Sequence, residues 1–153
     1  MTIQVGEIVG YRYWRAIKTG NLFSLWRFSL WKPRVPMTGD INKHHLDFPG
    51  KFSEGIYAWN SLDNLLRDCW FPEYHISRWR SETDLLYGYD KFYIIVAGEV
   101  ELWGEVDVHA SGYRASYGYP RAFYENYFPR YQNRAQYLSI LENVSKRYGV
   151  KII

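Results

Sequence analysis

Apolar and polar positions divide the chain into segments of distinct period. Between Val5 and Ile17, the run Ile8-Val9-Gly10-Tyr11-Arg12-Tyr13-Trp14-Arg15 is dense in β-branched and aromatic residues and has no helical period, which predicts a strand. Gly20-Asn21 interrupts it. Leu22 to Phe28 resumes the same character, so the two segments are expected to form a hairpin with its turn near Lys18 to Asn21. From Trp31 to Lys51, Pro33, Pro36, Pro49, Gly39 and Gly50 punctuate a stretch with few periodic apolar positions, and a long loop is expected there. Gly55-Ile56-Tyr57-Ala58-Trp59 reads as a short buried strand. Asn60 or Ser61 then caps a helix whose Leu62, Leu65, Leu66, Cys69 and Trp70 share a core-facing stripe, with Asp63 in its first turn and Pro72 as its stop. Phe71 to Tyr89 shows no clear period.

The second half is more regular. Phe92 to Gly98 is uncharged and gives way to alternation, with Val100, Leu102, Val106 and Val108 on one face. Glu99, Glu101, Trp103, Glu105 and Asp107 take the other. A half-buried strand bent at Gly98 or Gly104 follows from this pattern. Ala110-Ser111-Gly112 supplies a turn, and Tyr113 to Tyr119 returns as the next strand with Tyr113, Ala115, Tyr117 and Tyr119 assigned to one side. Asn133 to Gln136 has capping-box spacing. After it, Tyr137, Ile140, Leu141, Val144 and Tyr148 form a helical stripe closed by Lys146, Arg147 and Gly149. The expected architecture is a single α+β domain over residues 1–153, a curved antiparallel sheet with two helices, open or curled toward a barrel.

Composition changes the picture in one respect. The 153 residues are 47% hydrophobic and 23% charged, an ordinary globular balance that excludes disordered and fibrous classes. Aromatic residues, however, reach 20%: 7 Trp, 15 Tyr and 8 Phe. One core of this size is not expected to hide them all, so some tyrosines and tryptophans should lie at a surface or pocket, where a ring with a polar handle suits recognition. The net charge of +3 is partitioned, with eight Lys/Arg against two acids over 9–51, four against eleven over 52–107, and seven against two over 108–153. Basic ends that met in the fold would make one positive face for phosphates. No apolar run spans a bilayer and the first residues lack signal-peptide character, so a cytoplasmic protein without membrane contact is expected. Cys69 is the single cysteine, which leaves neither an internal disulfide nor a cysteine-rich metal site.

Gly55-Ile56-Tyr57-Ala58-Trp59, Gly98-Glu99-Val100-Glu101-Leu102-Trp103-Gly104-Glu105-Val106 and Gly112-Tyr113-Arg114-Ala115-Ser116-Tyr117-Gly118-Tyr119-Pro120 together resemble a family of uncharacterised bacterial and phage proteins. Val9 to Arg15 and Tyr148-Gly149-Val150 extend the likeness over most of the chain. The resemblance implies a shared fold and a bacterial or phage context, and no activity. Family members carry cysteines and a histidine ahead of the Gly-Ile-Tyr-Ala motif, a pattern that looks like a zinc loop. Here Met37 to Glu54 offers His44 and His45, with Asp40 and Asp47, but Phe52 and Glu54 stand where thiolates would be needed. No metal and no cofactor are therefore expected.

The sequence contains no nucleophile elbow, phosphate-binding Gly-rich Lys loop or His-Glu-x-x-His helix, and no catalytic residue is assigned. His109 near Asp107 and His75 near Glu73 could serve as a general base with an orienting acid, but turn-capping or exposed histidines account for them as well. Cys69 on an apolar stripe reads as packing. The acidic row Glu99, Glu101, Glu105 and Asp107 needs bases across it, and Arg114 and Arg121 are the candidates. The candidate ligand-binding set is Tyr11, Arg12, Tyr13, Trp14, Arg15, Trp103, Tyr113, Arg114, Tyr117 and Tyr119, since alternating rings and guanidinium groups can stack bases and pair phosphates. The leading expectation is a non-enzymatic domain that recognises nucleic acid or a nucleotide-like ligand. The alternative is a protein-interaction module, such as a phage-encoded inhibitor of a host protein, using the same rings and Trp79 as anchors.

Overall fold

The computed structural model describes residues 2–24, 29–39, 55–67, 93–127 and 133–153. Two long strands carry the sheet. β1 (Thr2–Ile17) and β6 (Tyr93–Val108) pair antiparallel from Thr2↔Asp107 to Ile17↔Tyr93, and β6 continues through the hairpin turn into β7 (Gly112–Phe123). Short strands line the free edges of this pair. β2 (Leu22–Ser24) lies on β1 opposite Trp14 to Ala16, and β3 (Leu30–Trp31) lies on β2. Along β7 come β5 (Ile56–Trp59), β4 (Met37–Thr38) and the parallel strand β8 (Lys151–Ile152). β1, β6, β7 and β5 form a ring of four strands, closed between β1 and β5 by the single pair Tyr11↔Trp59. The architecture is the expected α+β one.

Helices cover the two faces of β1. α2 (Arg134–Tyr148) begins at Asn133, whose side chain accepts a hydrogen bond from the Gln136 amide at 3.1 Å, and ends at Gly149 in the left-handed region at φ 66°. Its Tyr137, Ile140, Leu141, Val144 and Tyr148 are buried together with Trp14, Ala16, Leu22, Trp31, Ile94, Val96 and Phe123. The opposite face of β1 contributes Tyr13 to a smaller core with Ile95, Ala97 and Leu65, the last from α1 (Leu62–Arg67). Side chains of a strand alternate between faces, so Trp14 and Tyr13 enter different cores.

Several expectations need correction. Leu66 is 36% exposed while Leu65 is fully buried, so only one of the two adjacent leucines faces the core. Val108 is exposed, beyond the end of the buried row Val100, Leu102 and Val106. Tyr117 does not share a face with Tyr113 and Ala115. Those two pack on the main core, whereas Tyr117 is 42% exposed. The cause is a bulge in β6 between Trp103 and Val106, where Gly104 takes φ 81° and the strict alternation fails. The first part of the expected long loop holds a turn and β4. Leu25 to Phe28, Asp40 to Glu54 with His44 and His45, and the stretch containing Cys69, Trp70, Pro72, His75 and Trp79 lie outside the described residues.

Buried rings, moreover, are far more numerous than surface arguments required. Trp14, Trp31, Tyr137, Tyr148, Phe23 and Phe123 are among the largest fully buried side chains, each adding roughly 1.5–3 kcal/mol of apolar burial. Trp14 meets Trp31 and Phe123 edge-on, at centroid distances of 5.7 and 5.6 Å.

Candidate functional site

Four of the ten candidate residues fall in two places of opposite charge, Trp103, Arg114 and Tyr117 in one and Arg12 in the other. The first is the outer face of β6, β7 and the short strands beside β7. Cross-strand partners share a face, and two rows are in register here: Trp103, Tyr117 and Thr38 form one, Asp107, Arg114 and Tyr57 the other. Trp103 and Tyr117 stack with centroids 5.9 Å apart and planes 15° from parallel. Gly104 makes room for that stack, since a Cβ there would come within 2.7 Å of Tyr117 Cδ2. Tyr57 adds a third ring at 41% exposure. Around them Arg114 is bound to the Asp107 carboxylate, and Arg121 lies 3.5 Å from Glu99 and 3.8 Å from Glu101. The expected salt-laced face is present. Four carboxylates, Glu99, Glu101, Glu105 and Asp107, stand against the two guanidinium groups of Arg114 and Arg121, so the face is net acidic.

The second place lies on the edge of β1 away from β6. Tyr11 pairs there with Trp59 of β5 and Trp14 with Ser24 of β2, so Arg12 lies between the two pairings. Arg12 Nη1 crosses to donate to the Tyr57 carbonyl at 3.0 Å, and its Nε approaches the Tyr13 carbonyl at 3.5 Å. The guanidinium carbon lies 4.6 Å from the Trp31 ring centroid and 5.5 Å from that of Trp14. Such cation–π contacts stabilise a partly desolvated cation by about 1–2 kcal/mol. Burial lowers the Arg12 pKa from 12.5 to about 9, so the group is cationic at neutral pH. Among the described residues no carboxylate lies within ion-pair distance of it. Trp14 Nε1 is buried without an acceptor among the described residues, an arrangement that typically costs about 1–3 kcal/mol.

The remaining candidates are structural in position. Tyr13 is buried, with its hydroxyl donating to the Leu65 carbonyl at 3.0 Å, and Arg15 is buried at 3% exposure. Trp14 is in the main core, so its ring cannot stack on a ligand at the surface. Tyr119 accepts from the Arg34 amide at 2.9 Å and donates to the Tyr148 carbonyl at 2.7 Å. Tyr113 packs on the main core, and Tyr11 on the smaller one. No single platform gathers the rings and arginines. His109 is exposed, its amide closing the hairpin turn onto the Gly112 carbonyl at 2.8 Å, and the neighbouring Asp107 is engaged by Arg114. Among the described residues no group of three or more His, Cys, Asp or Glu could hold a metal, and no helix is long and apolar enough to cross a membrane.

Two participants were missed in the sequence. Tyr57 was legible as the outward position between the buried Ile56 and Ala58. Trp31 was not, because only the β1–β2–β3 pairing brings it to Arg12. No family model, curated protein or solved structure matches the chain, so the geometry of these two places carries the functional reading.

Proposed function

We propose that the protein is a non-enzymatic interaction module whose outer β6–β7 face docks a partner protein presenting lysine or arginine side chains. The observation that supports this reading is the Trp103–Tyr117 stack, with Tyr117 exposed, set among an excess of carboxylates. Aromatic rings are the common anchors of protein interfaces, and a cation seated over them gains from both the ring faces and the surrounding acids. A polyanion meets the opposite field here: Arg114 and Arg121 are already engaged, and phosphates would face Glu101 and Glu105. The basic-partner reading is preferred to the nucleic-acid one on this face because both guanidinium groups beside the rings are engaged by carboxylates.

The test is selection from a Lys/Arg-containing peptide library against a charge-neutral one, beside binding of mixed-sequence single-stranded DNA. Basic peptides are expected to bind, and Tyr117→Ala or Trp103→Ala to weaken them by about 2 kcal/mol or more, with intact far-UV dichroism. Failure of every basic peptide, or binders indifferent to both substitutions, would overturn the reading. DNA binding lost in Tyr117→Ala would replace it with the nucleic-acid one.

A further inference from the structure

The edge of β1 between its β5 and β2 pairings holds a cation that the proposed docking face does not use. Arg12 has five N–H donors in a planar fork. One Nη1 hydrogen is spent on the Tyr57 carbonyl and the Nε hydrogen points to the Tyr13 carbonyl at the limit of hydrogen-bond distance. The second Nη1 hydrogen and both on Nη2 meet no acceptor among the described residues. The guanidinium carbon lies over the Trp31 and Trp14 rings, and both rings are themselves locked in the main core. Trp14 adds a buried indole donor that meets no acceptor among the described residues. A charged fork fixed by rigid neighbours, partly desolvated and short of acceptors is the arrangement that recognises an oxyanion through paired N–H bonds.

Alternative roles for Arg12 explain less. A purely structural clamp would need only the Tyr57 contact, which a neutral donor supplies without the expense of a desolvated charge. An arginine placed for solubility would point to open water, whereas this one lies over Trp31. The ring of strands closes beside Arg12 with one residue pair, Tyr11↔Trp59.

We propose that the edge of β1 between its β5 and β2 pairings binds one phosphate-type oxyanion through the Arg12 guanidinium. The site is separate from the outer β6–β7 face and opposite to it in charge, so it stands or falls independently of the docking reading. The shared chemistry is the phosphate group, whether inorganic or at the end of a nucleotide.

Inorganic phosphate and a nucleoside monophosphate are titrated separately into the intact protein at fixed ionic strength, with chloride as control. Melting temperature and the guanidinium nitrogen NMR signals of Arg12 are followed. Phosphate is expected to raise the melting temperature and shift the Arg12 signals. Arg12→Gln, which keeps a donor for the Tyr57 carbonyl, should weaken binding about 10- to 100-fold, with Arg12→Lys in between. Tighter binding of the nucleoside monophosphate than of phosphate, lost in Arg12→Gln, identifies a nucleotide-like ligand. Equal binding of the two identifies the phosphate group alone. Unchanged Arg12 signals in the wild-type protein up to millimolar phosphate and nucleotide overturn the proposal, whatever the stability of the variants.

Discussion

Leu65 and Leu66 carry the same side chain one position apart on α1, and the fold treats them differently. Leu65 is fully buried against Tyr13, Ile95 and Ala97, and its carbonyl accepts the Tyr13 hydroxyl. Leu66 turns toward solvent. The helical period in the sequence announces a stripe but not its phase against the sheet, because a six-residue helix can rotate by one position without breaking its pattern. Leu65→Ala should therefore destabilise by about 2–5 kcal/mol, and Leu66→Ala by about 1 kcal/mol or less. Equilibrium denaturation of both variants measures the difference; equal losses would place the helix in the wrong phase.

At the scale of elements, legibility follows how much of each element is fixed by its own residues. α2 was readable from end to end, since Asn133 caps it, its stripe is wholly buried and Gly149 stops it. A further contribution was not: the Arg34 guanidinium lies against Gly149, at the negative end of that helix, because Arg34 itself adopts φ 65° in the preceding turn of the sheet. β6 was readable as a strand with a bend, but alternation cannot show what a bulge does to the partner strand. That is why Tyr117 was placed on one side with Tyr113 and Ala115. The bulge can be tested through Gly104. Its left-handed backbone should cost an alanine about 1–2 kcal/mol on its own. The clash with Tyr117 adds to this in the wild-type background. A double-mutant cycle is expected to show Gly104→Ala costing less when Tyr117 is already alanine, with the near-ultraviolet dichroism of the stack lost in either single variant. Identical costs in the two backgrounds would mean that the ring does not rest on the glycine.

At the scale of the whole molecule, many of the aromatic residues among the described ones, which first suggested a binding surface, serve as an internal bonding scheme. A tyrosine that stacks on a ligand and one that cross-links a core are the same letter in a sequence. Here Tyr148 accepts from the Leu22 amide at 2.9 Å and donates to the Trp31 carbonyl, Tyr137 donates to the Tyr124 carbonyl at 2.6 Å, and Tyr119 donates to the Tyr148 carbonyl. These hydroxyls tie α2 to β2, β3 and β7, and their burial resists ionisation. Desolvation pushes Tyr148 up from 10.0 to about 12, with the Leu22 amide and Arg147 acting against it, and it raises Tyr137 and Tyr124 as well. In each case the folded protein holds the proton more tightly than the unfolded chain does. This contribution to stability is therefore complete below pH 10 and is lost as pH rises through the folded values. Denaturation measured from pH 9 upward should accordingly show stability falling from about pH 10 toward 12 and beyond, together with delayed tyrosinate absorbance. Tyr148→Phe isolates one cross-link, since the effects of Arg12 and of the other tyrosines are common to both proteins. That variant should be less stable at neutral pH, where Leu22 and Trp31 lose a partner, and should decline less steeply in alkali. Parallel alkaline curves for the two proteins would show that Tyr148 ionises as freely in the fold as in the unfolded chain, and that the layers are held together without it.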